Sequence, residues 1–383
     1  MTSPQTEPLT ALVAYCERQR EWVTAFIEAL ATIESPSFDK AAVDRLGAFA
    51  ADRFGSLGWR TELLKQATAG AHLRMTWGSG DSQVLLLGHM DTVWPNGQLA
   101  RMPVRRDSSR LCGPGVYDMK GGIGVGALAV RAIAALGLRL RHRLVWLLTS
   151  DEEVGSQTSR ELIEEEARRS VAVLVLEPSL PGGGVKTARK GVGEFTIEAY
   201  GLSAHAGIEP EKGVNAIVEL AHHVLALQAL QDPSRGLTIT AGRIEGGTRT
   251  NVVPAYARVE LDVRVSTMVD ADAIERALYA LTPHVPGARL RVSGGINRPP
   301  LERSAHVIQL YESARSVAAA LGRDLAEGAT GGGSDGNFTA ALGVPTLDGL
   351  GPIGGGAHAI DEHIELDHLA WRAALIGGLL MSL

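Results

Sequence analysis

Val84-Leu85-Leu86-Leu87-Gly88-His89-Met90-Asp91-Thr92-Val93 is the stretch on which the fold turns. Four apolar residues run between polar Asp81-Ser82-Gln83 and a glycine, so Val84 to Leu87 reads as a buried strand ending near Gly88. His89 and Asp91 then stand where the strand empties into a loop, which is where open α/β sheets hold their ligands. At a period of two their side chains point the same way. That suits a metal-binding imidazole whose other ring nitrogen is held by a carboxylate. A plain His–Asp hydrogen bond at a strand end is the alternative, and the rest of the chain weighs on the choice.

Two more short apolar runs end in acids. Leu144 to Leu148 delivers Thr149-Ser150-Asp151-Glu152-Glu153, and Val171 to Leu176 delivers Glu177-Pro178. Helical patterns separate the strands. Leu9 to Ile33 reads as one helix, with apolar residues at Leu12, Tyr15, Trp22, Phe26 and Leu30, and Lys40 to Leu57 as a second, ended by Gly58. Strands follow near Trp59 to Leu64 and Leu73 to Trp77. Trp94 to Gly115 reads as a long loop, Met119 to Leu136 as a glycine-rich helix, and Thr158 to Arg169 as a charged surface helix. Gly124-Val125-Gly126-Ala127-Leu128-Ala129 fits a dinucleotide-binding pattern, but no strand immediately precedes it. Its glycines are better read as letting the helix approach a sheet. Strands alternating with helices argue for a layered α/β domain.

The texture changes at Pro181-Gly182-Gly183-Gly184, a candidate hinge. Val192 to Tyr200 alternates as a half-solvated strand does. A helix from Val214 to about Leu230, strands near Leu237 to Glu245 and Ala255 to Val265, a helix from Ala271 to Leu281 and a strand around Ala288 to Val292 make a small α+β unit. Asn297-Arg298-Pro299-Pro300 is the second candidate hinge. A helix (Ala305 to Leu321), a loop (Gly331-Gly332-Gly333-Ser334-Asp335-Gly336), a strand (Val344 to Leu347) and a closing helix from Leu366 complete the chain. The expected division is a discontinuous domain of residues 1–187 and 300–383 with residues 188–299 inserted as a lid, the hinges permitting closure.

Composition narrows the functional classes. The 383 residues are 45% hydrophobic and carry a net charge of −6, with no run of like charge that suits a nucleic-acid arm. Met1 to Glu7 lacks the basic and apolar regions of a signal peptide. The longest apolar runs fall far short of the ~20 residues of a membrane span. Cys16 and Cys112 make no disulfide framework, so a reducing cytoplasm is the simplest expectation.

Asp118, after Gly113-Pro114-Gly115-Val116-Tyr117, and His358, in Gly354-Gly355-Gly356-Ala357-His358, join His89, Glu152, Glu153 and Glu177 at loop ends. Mixed imidazole and carboxylate donors suit Zn²⁺, with Mn²⁺ or Co²⁺ also accommodated. Five ligands exceed what one tetrahedral catalytic zinc takes. They match two ions about 3.5–4 Å apart that share a carboxylate. Singly, each has a plainer reading: Asp118 as a helix cap, Glu152 and Glu153 as a solvated turn, Glu177 as a strand end. Jointly, every polar strand end would have to be coincidental.

His89-Met90-Asp91-Thr92-Val93, Gly115-Val116-Tyr117-Asp118-Met119-Lys120-Gly121-Gly122, Asp151-Glu152-Glu153-Val154-Gly155-Ser156 and Gly356-Ala357-His358 resemble, in order and spacing, the signatures of the aminoacylase/carboxypeptidase family of co-catalytic di-zinc peptidases. Leu176-Glu177-Pro178-Ser179, Ala204-His205-Ala206-Gly207 and Gly331-Gly332-Gly333-Ser334-Asp335 look most like the glutamate carboxypeptidases of the carboxypeptidase G type. The resemblance implies a phosphorylase/hydrolase-like zinc-peptidase domain, a mixed sheet flanked by helices, with an inserted ferredoxin-like dimerisation domain. It also implies two zinc ions per subunit: Asp118 bridging, His89 and Glu177 completing one site, Glu153 and His358 the other. Asp91 would orient His89, Glu152 would be the general base, and Asp118–Met119 would be a cis peptide. His205 would stabilise the oxyanion, in relatives from the partner subunit of a homodimer. Arg264, Asn251 and Arg298 match substrate-binding positions, and Gly332 with Gly333 could offer N–H groups to an anion. Arg249 departs from the pattern and puts the leaving amino acid in doubt.

The chemistry expected is metal-dependent hydrolysis of an amide, releasing a C-terminal amino acid, glutamate foremost, from an N-acyl or folate-like substrate. An N-acyl-amino-acid deacylase of the aminoacylase or acetylornithine deacetylase kind is the alternative. A non-catalytic metal-binding protein is a third reading, against which Glu152 speaks, since such a protein needs no base beside its metal.

Overall fold

The apolar run at Val84 needs cover on both faces, and it has it. In the computed structural model, which describes residues 6–383, the strand Gln83–His89 is buried along its whole length within a six-stranded sheet. Across the sheet the order is Arg60–Leu64, His72–Trp77, Arg143–Thr149, Gln83–His89, Ser170–Val175 and Thr346–Leu347. The last four strands run parallel, and the first two pair antiparallel. Parallel strands covered on both faces read as continuous apolar runs rather than alternating ones, which is why Val84, Leu144 and Val171 stood out.

Helices flank this sheet. Gly121–Ala135 is apolar except at Arg131 and mostly buried. Its glycines are there for contact: a Cβ on Gly122 would lie 1.9 Å from the Leu176 carbonyl oxygen, and one on Gly126 2.6 Å from the Trp146 ring. The closing helix Leu369–Ser382 is buried in the same core, with Leu12, Ile27, Leu30 and Trp146.

Several boundaries differ from expectation. Leu9 to Ile33 is two helices, Thr6–Arg18 and Arg20–Ala31, broken at Gln19. The break carries no Gly or Pro, and Leu12, Cys16, Val23, Ile27 and Leu30 all stay buried across it, so the apolar period runs through unmarked. The Trp94 to Gly115 segment holds short strands at Arg105–Arg106 and Arg110–Cys112. These join Gly354–Gly355 and His363–Glu365 in a second sheet. Strands of two or three residues are too short to show a period. The strand expected at Ala288 to Val292 extends over Arg289–Arg298, so Asn297 and Arg298 belong to it rather than to a linker. Gly336–Ala341 forms a short helix inside what read as loop and strand approach.

The described chain divides into two compact units, residues 6–187, 303–329 and 334–383 in the first, and 188–302 with 330–333 in the second. Two of the crossings fall within the two-stranded ribbon of Val185–Arg189 and Glu327–Thr330. Thr330–Gly333, in the stretch expected to belong to the larger part, cluster with the second unit.

Taken by itself, the second unit is a β-α-β-β-α-β arrangement. Its strands Gly191–Tyr200, Thr238–Gly246, Tyr256–Val265 and Arg289–Arg298 form an antiparallel sheet in which the first and third occupy the middle. Helices Ala216–Gln228 and Met268–Tyr279 supply Leu220, Ile274 and Leu278 to its own core with Phe195, Ile197, Val259, Leu261 and Val263. This is the ferredoxin-like pattern. Buried Glu219 anchors it, accepting from the backbone N–H groups of His284 and Val285 and lying 2.7 Å from His223 Nε2. Among the described residues no helix is long and apolar enough to cross a membrane.

Candidate metal centre

Gln83–His89 pairs with Arg143–Thr149 on one side and Ser170–Val175 on the other. The strand order therefore reverses direction at Gln83–His89, and such a switch point leaves a crevice outside the carboxyl ends of the strands. His89 is the last residue of the central strand. Glu152 and Glu153 open the turn after Arg143–Thr149, and Glu177 lies just past Ser170–Val175. Three strands running the same way thus bring their terminal polar residues to one end of the sheet.

Asp118 arrives differently. Val116–Lys120 is a tight irregular turn ahead of the buried glycine helix, and the Asp118–Met119 peptide is cis, as the resemblance implies. Met119 folds back over the strand: the His89 N–H donates to Met119 Sδ at 3.1 Å, and only a glycine at 88 leaves space for its methyl. His358 comes from the loop between Gly354–Gly355 and His363–Glu365, on a left-handed residue with φ of 61°.

The five side chains converge in two sets on one carboxylate. His89 Nε2 lies 3.1 Å from Asp118 Oδ1 and 3.4 Å from Glu177 Oε1. His358 Nε2 lies 3.4 Å from Asp118 Oδ2 and 3.2 Å from Glu153 Oε2. Each oxygen of Asp118 faces its own His, and each His in turn lies beside its own Glu. Ligands about 2.0–2.1 Å from a tetrahedral ion stand about 3.3 Å apart, so donors at these separations are compatible with a common ion. Donor atoms of His89, Asp118 and Glu153 all lie within 4.8 Å of one another. Glu153 Oε1 is buried and has no hydrogen-bond partner. A buried carboxylate oxygen without a partner is costly, and a cation would satisfy it. The residues present fit a pair of divalent ions.

The electrostatics agree. Burial alone would depress the basicity of His89, but Asp118, Asp91 and Glu177 around it hold its pKa well above the usual imidazole value. Hydrogen bonds to Asp118 and Glu153 push His358 up to about 10. Burial raises Glu153, more than His358 offsets. Asp118 is drawn far below the carboxylate range despite its burial, because both imidazoles bond to it. The cluster is a concentration of negative charge that draws protons onto its own histidines when no metal is there; metal binding displaces such protons.

Asp91 is fully buried beside the cluster. His89 Nδ1 is 3.0 Å from its main-chain oxygen and 3.5 Å from its carboxylate. The carboxylate also accepts from Glu152 N, Glu153 N and Ser37 Oγ at 3.2, 3.1 and 2.7 Å. It therefore fixes the Glu152–Glu153 turn as much as the imidazole. Asp335 holds the same turn from the other side, accepting from Thr149 Oγ1 and Ser156 Oγ. Sequence reasoning gave Asp335 no role, because a long-range clamp leaves no spacing signal. Ser37 was passed over for the same reason.

The remaining candidates, His205, Asn251, Arg264, Arg298, Gly332 and Gly333, all belong to the second unit. His205 and Asn251 are on adjoining segments: His205 bridges Val252, and Ala206 N donates to the Asn251 carbonyl at 3.0 Å. His205 is exposed, its Nδ1 accepting from Gly207 N. Arg264 grips Asp262 two residues away, Nε and Nη2 donating at 2.8 and 2.7 Å. Arg298 is buried, and a Cβ on Gly333 would lie 2.8 Å from its Cδ. Arg189, unremarked in the sequence, donates Nη1 to the carbonyls of Gly332 and Gly333 and braces that loop.

Comparison with known proteins agrees with this arrangement. Residues 85–382 match the model of "Peptidase family M20/M25/M40". The chain is 31% identical over 365 residues to carboxypeptidase G2 of Pseudomonas sp. (strain RS-16), covering 93% of this chain and 88% of that protein. It is 30% identical to succinyl-diaminopimelate desuccinylase 1 of Alteromonas mediterranea, covering 80% and 83%. Among solved structures, the YXEP protein of Bacillus subtilis, described as a dinuclear metal binding peptidase from the M20 family, superposes with a TM-score of 0.69 at 13% identity over 96% of this chain and 98% of that one. With a metal-ready cluster at the switch point of its sheet, and with relatives that cleave amide bonds, the chain is a hydrolytic enzyme belonging to peptidase family M20/M25/M40.

Proposed function

We propose that the protein is a two-zinc carboxypeptidase that hydrolyses the amide of an N-acyl or folate-like substrate and releases a C-terminal amino acid, glutamate first among them. The observation that carries the metal reading is Asp118, each of whose oxygens faces a separate His that in turn lies beside a Glu. His89 and Glu177 would hold one ion, His358 and Glu153 the other, and Asp118 both; Co²⁺ or Mn²⁺ would fit the same donors. When bound, the ions supply Lewis acidity, polarising the substrate carbonyl and bringing the pKa of water towards neutrality.

The remaining steps fall to the chain's own groups. Glu152 stands next to a ligand, its backbone N–H fixed by Asp91 Oδ1. Its carboxylate takes a proton from the attacking water and returns it to the leaving amine, so that bond cleavage expels a neutral group. Asp91 keeps His89 and the Glu152–Glu153 turn in register. By the family resemblance, His205 would stabilise the negative charge on the tetrahedral oxygen, contributed as in relatives by the partner subunit, and Asn251, Arg264, Arg298, Gly332 and Gly333 would recognise the substrate. An arginine fork suits a free α-carboxylate; Arg264 would exchange its Asp262 partner for it. The 31% identity to carboxypeptidase G2 supports the carboxypeptidase reading. The homodimer and the cytoplasmic setting rest on the family resemblance and the two free cysteines.

A second reading keeps the chemistry and moves the specificity to the acyl side, as an N-acyl-amino-acid deacylase. Similarity to the desuccinylases favours it. A panel of N-acyl amino acids, varied first in the amino acid and then in the acyl group, separates the two by amine release. Preference for glutamate or aspartate supports the first; indifference to the amino acid with strict choice of acyl group supports the second. Full turnover by EDTA-treated, metal-free protein overturns both.

A further inference from the structure

Glu362 took no part in the sequence argument, yet it ties the loop that carries Asp118 to the turn that presents His358. Its side chain is fully buried. Oε1 accepts from the backbone N–H groups of Tyr117 and Asp118 at 2.9 and 3.1 Å. Oε2 accepts from Gly115 N at 2.9 Å and from Trp94 Nε1 at 2.8 Å. A carboxylate has about four lone-pair sites, and here each is used. The main chain of the same residue continues the tie: Gly113 N donates to the Glu362 carbonyl at 3.2 Å, and Glu362 N donates to Ala359 O at 3.0 Å, closing the turn that presents His358.

From this geometry we propose that Glu362 is a positioning residue of the metal centre. It holds the Gly113–Asp118 loop against the His358 turn, so that Asp118 stays between the two donor sets. The N–H groups of Gly115, Tyr117 and Asp118 all go to this one carboxylate, and buried N–H groups left without such a partner would be costly. A neutral amide cannot replace the carboxylate. Glutamine keeps the shape, but its NH₂ would face two N–H donors, and the pair it met would be left unbonded. The loop would then relax, and the bridging oxygens would leave their places. Outer partners of this kind carry much of a site's affinity: their loss commonly lowers metal binding by about 10–100-fold.

The proposal rests on the two-metal reading, and its test is built to fail separately from it. Zinc affinity is measured by competition with a chromophoric chelator, well below the unfolding temperature, for wild type, Glu362→Gln, Glu362→Asp and Trp94→Phe. Glu362→Gln is expected to weaken both binding steps by about 10–100-fold, because Asp118 is common to both. At saturating zinc its KM stays near wild type while kcat falls. Glu362→Asp, one methylene shorter, loses less, and Trp94→Phe, which removes one of the four donors, least. A role in fold stability alone would lower the melting temperature and leave zinc affinity of the folded protein unchanged; that result overturns the proposal, with Glu362→Asp deciding if the glutamine variant does not fold. Wild-type protein that binds no zinc would instead overturn the reading of the centre itself.

Discussion

The two halves of the candidate metal centre are built by different means. His89 and Glu177 are 1% and 9% exposed, stand at the ends of adjacent parallel strands, and inherit their positions from the sheet. His358 is 50% exposed, on a left-handed residue in a loop, opposite a Glu153 that is 8% exposed. The first half is set by packing that would exist in any protein with this sheet. The second is set by local turns and by carboxylates such as Asp91 and Glu362 that bind backbone N–H groups.

Removing the element common to both halves should have the largest effect. Asp118→Asn is expected to cut zinc stoichiometry below two and lower turnover by about 10³-fold or more, since metal ions contribute several kcal/mol of charge stabilisation; atomic absorption and kcat measure each. Glu152→Gln sharpens the comparison by leaving both halves intact. Two zinc ions should still bind while kcat drops about 10²–10⁴-fold with little change in KM. Wild-type turnover in that variant would remove Glu152 as the base.

The halves should then diverge in metal-free protein. His89→Ala takes away the cationic partner of buried Asp118, Asp91 and Glu177 and should destabilise by about 3–5 kcal/mol. His358→Ala, half-exposed, should change stability little, although both variants lose metal. Equal shifts in urea midpoint under EDTA would break the distinction.

The smallest effect is the pH dependence. His358 has its folded pKa raised to about 10 from an unfolded value of about 6.5. Its contribution is therefore complete below about pH 6.5 and is lost as pH rises through about 10. Solvent screening keeps it modest. Metal-free wild type should lose stability on going from pH 6.5 to pH 10, and His358→Ala should flatten the part of that slope that is its own. Stability rising with pH over that range would contradict the assignment.

How much of this was legible beforehand follows the same division. Val84 to Leu87, Leu144 to Leu148 and Val171 to Leu176 announced parallel strands because burial on both faces removes polar residues from them, and the acids just beyond announced strand ends. His89, Glu153 and Glu177 could thus be placed on one rim of one sheet from the order of residues alone. Gly122 and Gly126 were readable as close-packing positions, and the alternation in Val192 to Tyr200 marked a one-faced sheet.

What only the tertiary structure decided is whatever depends on residues far apart in the chain. Asp118 and His358 are separated by the entire second unit, and their meeting on opposite oxygens is a matter of how loops fold over the sheet. Arg298 read as linker and is a buried strand residue; Arg189 gave no sign that it braces Gly332 and Gly333. Asp335 stands in a glycine-rich loop and Glu362 beside Asp361 in a polar stretch, and they became clamps because folding brings distant hydroxyls to the first and backbone N–H groups to the second. Periodicity records which face of an element is buried, since that choice repeats along the chain. Hydrogen bonds between distant loops do not repeat, so the sequence carries the donors and acceptors without saying which will meet.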